Sequence, residues 1–191
     1  GGDAFLKRLQ TGDPHAFAQF VDENQSQVYN LALRMLNDPQ EAEDVLQETF
    51  LNAYKALPGF EGRSSLSTWL YRIASNASLM RLRKKQPSTV SVDEPLVLDA
   101  GDSVPRQLVD WSNLPEDELL SNESRLVMDE AVSELPEALR IVFVLRDLEG
   151  LSTVETGEVL GLSKGAVKTR LHRARLWLRE RMSSYFAERM R

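Results

Sequence analysis

Between Gly150 and Arg175 the chain carries two helical segments separated by a tight glycine turn, and no other feature restricts its fold as sharply. Ser152 is placed to cap a short helix bearing Val154, Val159 and Leu160. Gly161-Leu162 supplies the turn, Ser163 a second cap, and a long helix follows. A short helix, a turn and a second helix make the unit that lays a reading helix in the DNA major groove. On the second helix Val167, Leu171, Ala174 and Leu178 share one narrow stripe and are expected to pack inward. Lys168, Thr169, His172 and Arg173 then face outward near the helix start, where base edges are within reach. Arg and Lys donate to guanine acceptors, Thr and His bond either way, and Ser163 with Lys164 suits phosphates. A helix whose charged face is merely solvated would carry the same stripe, but the turn chemistry and the distribution of charge favour a DNA reader.

That distribution matters because the net charge is −6, and phosphate contact requires a local cationic surface. The charges are segregated. Arg63, Arg72, Arg81, Arg83, Lys84 and Lys85 form one run without an acid, and Lys164, Lys168, Arg170, Arg173 and Arg175 lead a second. Between the two runs lies an acidic stretch that includes Asp93, Asp102, Asp110 and Glu118.

The first half reads as helices. Asp13-Pro14 starts one that carries Phe17, Phe20, Val21, Val28, Leu31, Ala32 and Met35 at helical intervals, and Asn37-Asp38-Pro39 ends it and starts the next. From Gln40 to Leu57 an apolar stripe (Ala42, Leu46, Thr49, Phe50, Ala53, Leu57) opposes Asp44, Glu48, Leu51 and Lys55. After Pro58-Gly59 and a polar loop, Leu66, Trp69, Leu70, Ile73, Ala77 and Met80 form the expected buried stripe of a further helix, closed by Pro87. No alternating strand pattern is sustained, so the fold class is all-α: two small helical domains, 3–86 and 115–191, joined by an extended acidic linker, 87–114.

Several function classes fall away on composition. With no cysteine, disulfides and thiolate sites are excluded, and His15 and His172 are too far apart to make a metal pair. A carboxylate metal site from Glu41, Asp44 and Glu48 lacks the Glu-x-x-His pairs of di-iron bundles. No metal, cofactor or catalysis is therefore expected. No apolar run nears a membrane span and the amino terminus lacks signal-peptide order, which points to the cytoplasm without membrane insertion. Gly1-Gly2 is read as a possible cloning scar.

The run GLSTVETGEVLGLSKGAVKTRLHRAR resembles region four of the RNA polymerase sigma factors, and LPEALRIVFVLRDLEG looks like its preceding helix. AEDVLQETFLNAYKAL resembles the polymerase-binding helix of region two, and GFEGRSSLSTWLYRIASNASL its promoter-melting loop and helix. The resemblance covers almost the whole chain and leaves no room for a region-three domain, which is similar to the extracytoplasmic-function class. It implies an alternative sigma factor that binds core polymerase, recognises the minus-thirty-five and minus-ten promoter elements and promotes strand opening.

By that resemblance Asp44, Gln47, Glu48 and Leu51 grip the clamp of the polymerase's largest subunit, although an ordinary solvated acidic face fits them too. Arg63, Ser64, Ser65, Tyr71, Asn76, Arg81, Arg83 and Lys84 hold the melted minus-ten strand. Trp69 is expected in the core, while Tyr71 faces outward, either stacking on a base or simply exposed. Ser163, Lys164, Lys168, Thr169, His172 and Arg173 read the minus-thirty-five duplex. The implied partners are core RNA polymerase, with its flap meeting region four, promoter DNA and an anti-sigma factor. The acidic linker would thread the polymerase's positive channel or serve as a plain spacer. Gly157 stands where the family usually has Ala, which should loosen the short helix, and His172 occupies a position that varies with promoter. Response regulators share the helix-turn-helix, so the alternative is a regulator that is no polymerase subunit. Such a protein would not need the DVLQETF face or the WLYRIASN helix.

Overall fold

The computed structural model describes residues 2–85 and 122–189, and among them there is no strand. A helix that the patterning did not single out, α1 (Gly2–Gln10), comes first. It is tied down by Gln10, whose side-chain amide donates to the carbonyls of Leu57 (3.2 Å) and Phe60 (2.8 Å).

The expected breaks coincide with caps. Asp13 accepts from the backbone N–H of His15 at 2.9 Å and starts α2 (Pro14–Leu36). Asn37, left-handed at φ 52°, ends that helix, and Asp38 caps α3 (Pro39–Ala56) by accepting from Gln40 N–H at 2.9 Å. A short 3-10 turn, Leu57–Gly59, leads through the polar loop to α4 (Leu66–Lys85). Phe20, Val28, Leu31 and Met35 of α2, Val45 and Phe50 of α3, and Leu70 and Ala74 of α4 are buried together. The Phe20 and Phe50 rings meet edge-on with centroids 6.0 Å apart. Each of these buried Phe, Val, Leu and Met side chains contributes roughly 1.5–3 kcal/mol, which is what holds three amphipathic helices in register.

The second unit comprises α5 (Asn122–Glu134), α6 (Glu137–Phe143), a wide π turn (Val144–Leu148), α7 (Thr153–Leu160) and α8 (Lys164–Arg189). Ser152 and Glu155 form a reciprocal capping box, and Gly161 at φ 68° closes α7 as a left-handed cap. Val167, Leu171, Ala174 and Leu178 are all buried, as their stripe predicts. Arg175 makes a bidentate pair with Asp147, at 2.8 and 2.7 Å, which fixes α8 against the π turn.

Three expectations need correction. Met80 of the predicted α4 stripe is 57% exposed, whereas Tyr71, expected to face outward, is 6% exposed and buried with Ala74, Ser75 and Ser78. The reason is that α4 packs against α2 and α3 on one side and against α6 and α7 of the second unit on another, so its buried face is wider than its apolar stripe and turned from it. The third concerns Gly157. A Cβ there would lie 2.6 Å from the Leu162 carbonyl oxygen, so glycine is required by the close approach of the turn. The expected linker, 87–114, and the expected start of the second domain at 115 lie outside the described residues.

Candidate nucleic-acid and polymerase interface

Three surfaces collect the predicted residues. The first is the recognition helix. Ser163 accepts from Ala166 N–H at 3.1 Å, so its hydroxyl caps α8 and directs the helix's free N–H groups and positive dipole end outward beside exposed Lys164. Lys168, one turn on, is exposed as well. Thr169, His172 and Arg173 are half-buried. The Nε2 of His172 is shielded from solvent and has no hydrogen-bond partner among the described residues. Arg173 already has a partner within the chain. The cationic edge of this surface is thus Lys164 and Lys168, with the other three set behind it.

The second surface lies on the polar loop and α4. Ser65 caps α4 by accepting from Thr68 N–H at 3.1 Å, while its hydroxyl donates to Thr68 Oγ1 at 2.9 Å. Its predicted strand contact therefore coexists with a structural role. Ser64 is spent locally on the Ser65 carbonyl at 3.2 Å, and exposed Arg63 pairs with Glu61 at 2.9 Å. Asn76 is exposed, and one turn either side of it lie exposed Arg72 and Met80, with exposed Arg83 and Lys84 continuing the same stripe. Arg72 and Met80 extend this exposed stripe beyond the residues that the sequence singled out. Their spacing of four from Asn76 was the available signal. Tyr71 is not part of this face, because its hydroxyl donates to the Glu149 carboxylate at 3.0 Å. Burial pushes both groups above their ordinary pKa ranges, with the Glu149 charge raising Tyr71 further, while the Tyr71 hydrogen bond and nearby Arg34 partly offset the rise on Glu149.

The third surface is the outer face of α3. Gln47 and Glu48 are exposed, Asp44 is half-exposed and Leu51 is 55% exposed. Tyr54, 51% exposed and three residues on, extends the exposed stripe beyond the residues that the sequence singled out. Its ring sits edge-on to Phe17 at 5.2 Å, so it is held in place rather than loose. The second and third surfaces touch. Arg81, predicted to track phosphates, spans in this structure to Glu48 (3.5 Å) and Asp44 (3.8 Å), and Lys85 reaches Glu41 at 2.5 Å. Among the described residues no group of three or more His, Cys, Asp or Glu is arranged to hold a metal ion, and no helix is long and apolar enough to cross a membrane.

Comparison with known proteins bears on these surfaces. The family model for sigma-70 region 2 matches residues 20–87, spanning the second and third, and the model for sigma-70 region 4 matches 125–178, spanning the first. The chain is 39% identical to the ECF RNA polymerase sigma factor SigW of Bacillus subtilis over 93% of this chain and 94% of that one. It is 36% identical to the RNA polymerase sigma-H factor of Pseudomonas aeruginosa over 89% of this chain and 88% of that one. Its fold is similar to that of CnrH in complex with the cytosolic domain of CnrY, with a TM-score of 0.67, 24% identity and coverage of 95% and 96% of the two chains. It is also similar to the sigma factor RpoE in complex with the anti-sigma factor NepR from Bartonella quintana, with a TM-score of 0.61, 23% identity and coverage of 87% and 96%. With a capped, lysine-edged second helix of a helix-turn-helix following an acidic helix and a cationic loop-helix, and with the region 2 and region 4 models matched in turn along it, this chain belongs to the extracytoplasmic-function sigma factors of the sigma-70 family.

Proposed function

We infer that the protein is an alternative sigma factor that recruits core RNA polymerase to promoters, recognises the minus-thirty-five and minus-ten elements and favours the melted state. The observation that carries this reading is the presence, in one chain, of a helix-turn-helix and of the α3–loop–α4 unit that a plain helix-turn-helix regulator would not need. The family's action divides among the three surfaces as follows.

Asp44, Gln47, Glu48 and Leu51, with Tyr54, present carboxylates and an exposed apolar patch to a basic, partly apolar partner surface, the polymerase clamp. Arg63, Ser64, Ser65, Asn76, Arg83 and Lys84, joined by Arg72 and Met80, receive the unpaired strand: the cations meet phosphates, and the Asn76 amide offers both donor and acceptor to an extruded base. Ser163, Lys164 and Lys168 anchor α8 on duplex phosphates so that Thr169, His172 and Arg173 approach base edges in the major groove. Binding energy alone drives opening, because single-stranded DNA is bound and duplex is not at the minus-ten surface. The sigma factor breaks and forms no bonds itself. We place the working boundaries at 3–86 and 115–191, the action in the cytoplasm, and the linker 87–114 in the polymerase's positive channel. An anti-sigma factor, as in the complex of RpoE with NepR, completes the proposed set of partners.

A reconstituted transcription assay with core enzyme and a randomised promoter library tests the reading. Start-site-specific initiation that selects two separated elements is the expected result. Failure to associate with core enzyme, together with duplex binding alone, would instead favour a regulator that is not a polymerase subunit.

A further inference from the structure

The loop that carries Arg63, Ser64 and Ser65 is short and is held at both ends. Downstream, Ser65 caps α4 by accepting from Thr68 N–H at 3.1 Å. Upstream, the 3-10 turn Leu57–Gly59 ends on Phe60, whose N–H donates to the Leu57 carbonyl at 3.0 Å. The Phe60 ring lies against that of Trp69 on α4, with centroids 5.1 Å apart. Only residues 61–64 separate the two anchors, and Gly62 turns the chain there at φ 75°. Four residues reach at most about 14 Å when fully extended, so a displaced anchor carries Arg63 and Ser64 with it.

The upstream anchor depends on a residue 47 and 50 positions away from the groups it holds. Gln10, at the end of α1, is half-buried, and its amide nitrogen donates to the carbonyls of Leu57 at 3.2 Å and Phe60 at 2.8 Å. A side-chain amide nitrogen carries two N–H donors, and here one goes to each end of the turn. α1 is itself fixed: Leu9 is buried, Phe5 packs against the core, and Arg8 pairs at 2.8 Å with Asp13, the cap of α2. Gln10 therefore ties a braced helix to the root of the loop. It precedes residues 20–87, the stretch that the region 2 model matches.

We propose that Gln10 is a positioning residue for capture of the minus-ten strand: by holding the Leu57 and Phe60 carbonyls it presets the loop, so that Arg63 and Ser64 meet the unpaired strand already ordered. The proposal rests on the reading of that loop as part of the strand-capture surface. Gln10 meets no DNA and acts only through the turn. A loop ordered beforehand loses less conformational freedom on binding, so affinity rises without any new contact to the strand.

The test compares the full wild-type chain with Gln10→Met, which keeps the length of the side chain and removes its donors. In the free chain, hydrogen exchange at the Phe60 amide, followed by NMR, should quicken several-fold, while exchange at the amide of buried Val45 inside α3 should not change. A general loss of stability would quicken both. Holoenzyme assembled with core polymerase should bind a labelled single-stranded minus-ten oligonucleotide roughly threefold to tenfold more weakly, with core association unchanged. Arg63→Ala separates positioning from plain support, because its loss of affinity should be smaller in the Gln10→Met chain, where the loop is already loose, than in the wild type. Equal losses in the two backgrounds, or unchanged Phe60 exchange, overturn the proposal. If circular dichroism shows Gln10→Met unfolded, Gln10→Glu, whose carboxylate cannot donate to either carbonyl, decides by the same measurements; unfolding of both overturns the positioning role in favour of a structural one. A wild-type chain that joins core enzyme yet binds no single strand refutes the minus-ten reading on which the proposal rests, whereas equal strand binding by wild type and Gln10→Met refutes the positioning role alone.

Discussion

The Tyr71 hydroxyl and the Glu149 carboxylate meet at 3.0 Å across 78 residues of sequence, joining the helix of the minus-ten surface to the corner that precedes the helix-turn-helix. The contact sets a pH dependence. Burial raises the folded-state pKa of Glu149 above its ordinary value, against the partial opposition of Tyr71 and Arg34. A group raised on folding contributes stability that is complete below its unfolded pKa and is lost as pH rises through the folded value. Acidification from neutral toward the ordinary carboxylate range should therefore strengthen docking of the two units. Glu149→Gln, which still accepts from Tyr71 but carries no charge, should flatten that dependence. Thermal melts from pH 4 to pH 7 on both proteins check this, and parallel slopes would refute it.

Gly157→Ala separates helix propensity from packing. The substitution gains about 1 kcal/mol of propensity, but its Cβ would sit 2.6 Å from the backbone oxygen of Leu162, which cannot swing aside as a side chain can. Overpacking of this kind costs roughly 1–3 kcal/mol, so the net result should be a loss of stability and a displaced recognition helix. Urea denaturation measures the first and upstream-element affinity the second. A stabilised variant with unchanged DNA binding would contradict the geometry.

Ser65 has two roles that substitution can divide. Ser65→Ala removes the cap of α4 and should cost about 1 kcal/mol of stability. Ser65→Asp keeps a capping oxygen for Thr68 N–H but sets a negative charge beside the strand. The Asp variant should thus melt near the wild-type temperature while losing affinity for single-stranded minus-ten DNA. If both variants bind the strand as the wild type does, Ser65 is a cap and nothing more.

The surfaces of α3 and α8 should respond separately. Arg173→Ala should weaken binding to the upstream element by about 1–3 kcal/mol and relax base preference there, if it reads a base. Asp44→Ala should leave that binding intact and impair association with core polymerase, since Asp44 lies on the acidic face of α3. Titration of labelled duplex and of core enzyme reads the two effects. Equal losses in both assays for both variants would argue against the division of labour.

A smaller effect belongs to Arg81, which spans to Asp44 and Glu48 at 3.8 and 3.5 Å. Partly exposed pairs of this length are worth about 0–1 kcal/mol. Arg81→Gln should accordingly change stability little, while freeing two carboxylates and so tightening, rather than weakening, polymerase association. Weaker association would show that Arg81 itself meets the polymerase.

Local chemistry sufficed for much of the architecture. The caps at Asp13, Asp38, Ser152 and Ser163, the left-handed ends at Asn37 and Gly161 and the inward stripe of Val167, Leu171, Ala174 and Leu178 all stand where the residues placed them. Capping and amphipathic period are settled within a few residues of chain, so they can be read from the chain alone. The same holds for the exposed carboxylates of α3 and the lysines of α8. Tertiary structure decided what depends on a second surface: the burial of Tyr71, the outward turn of Met80, the pairing of Arg81 with the carboxylates of α3, and the need for glycine at 157. An amphipathic stripe reports one buried face, and α4 has two. Which side chain meets Glu149 is fixed by packing between segments far apart in sequence, and no local period records it.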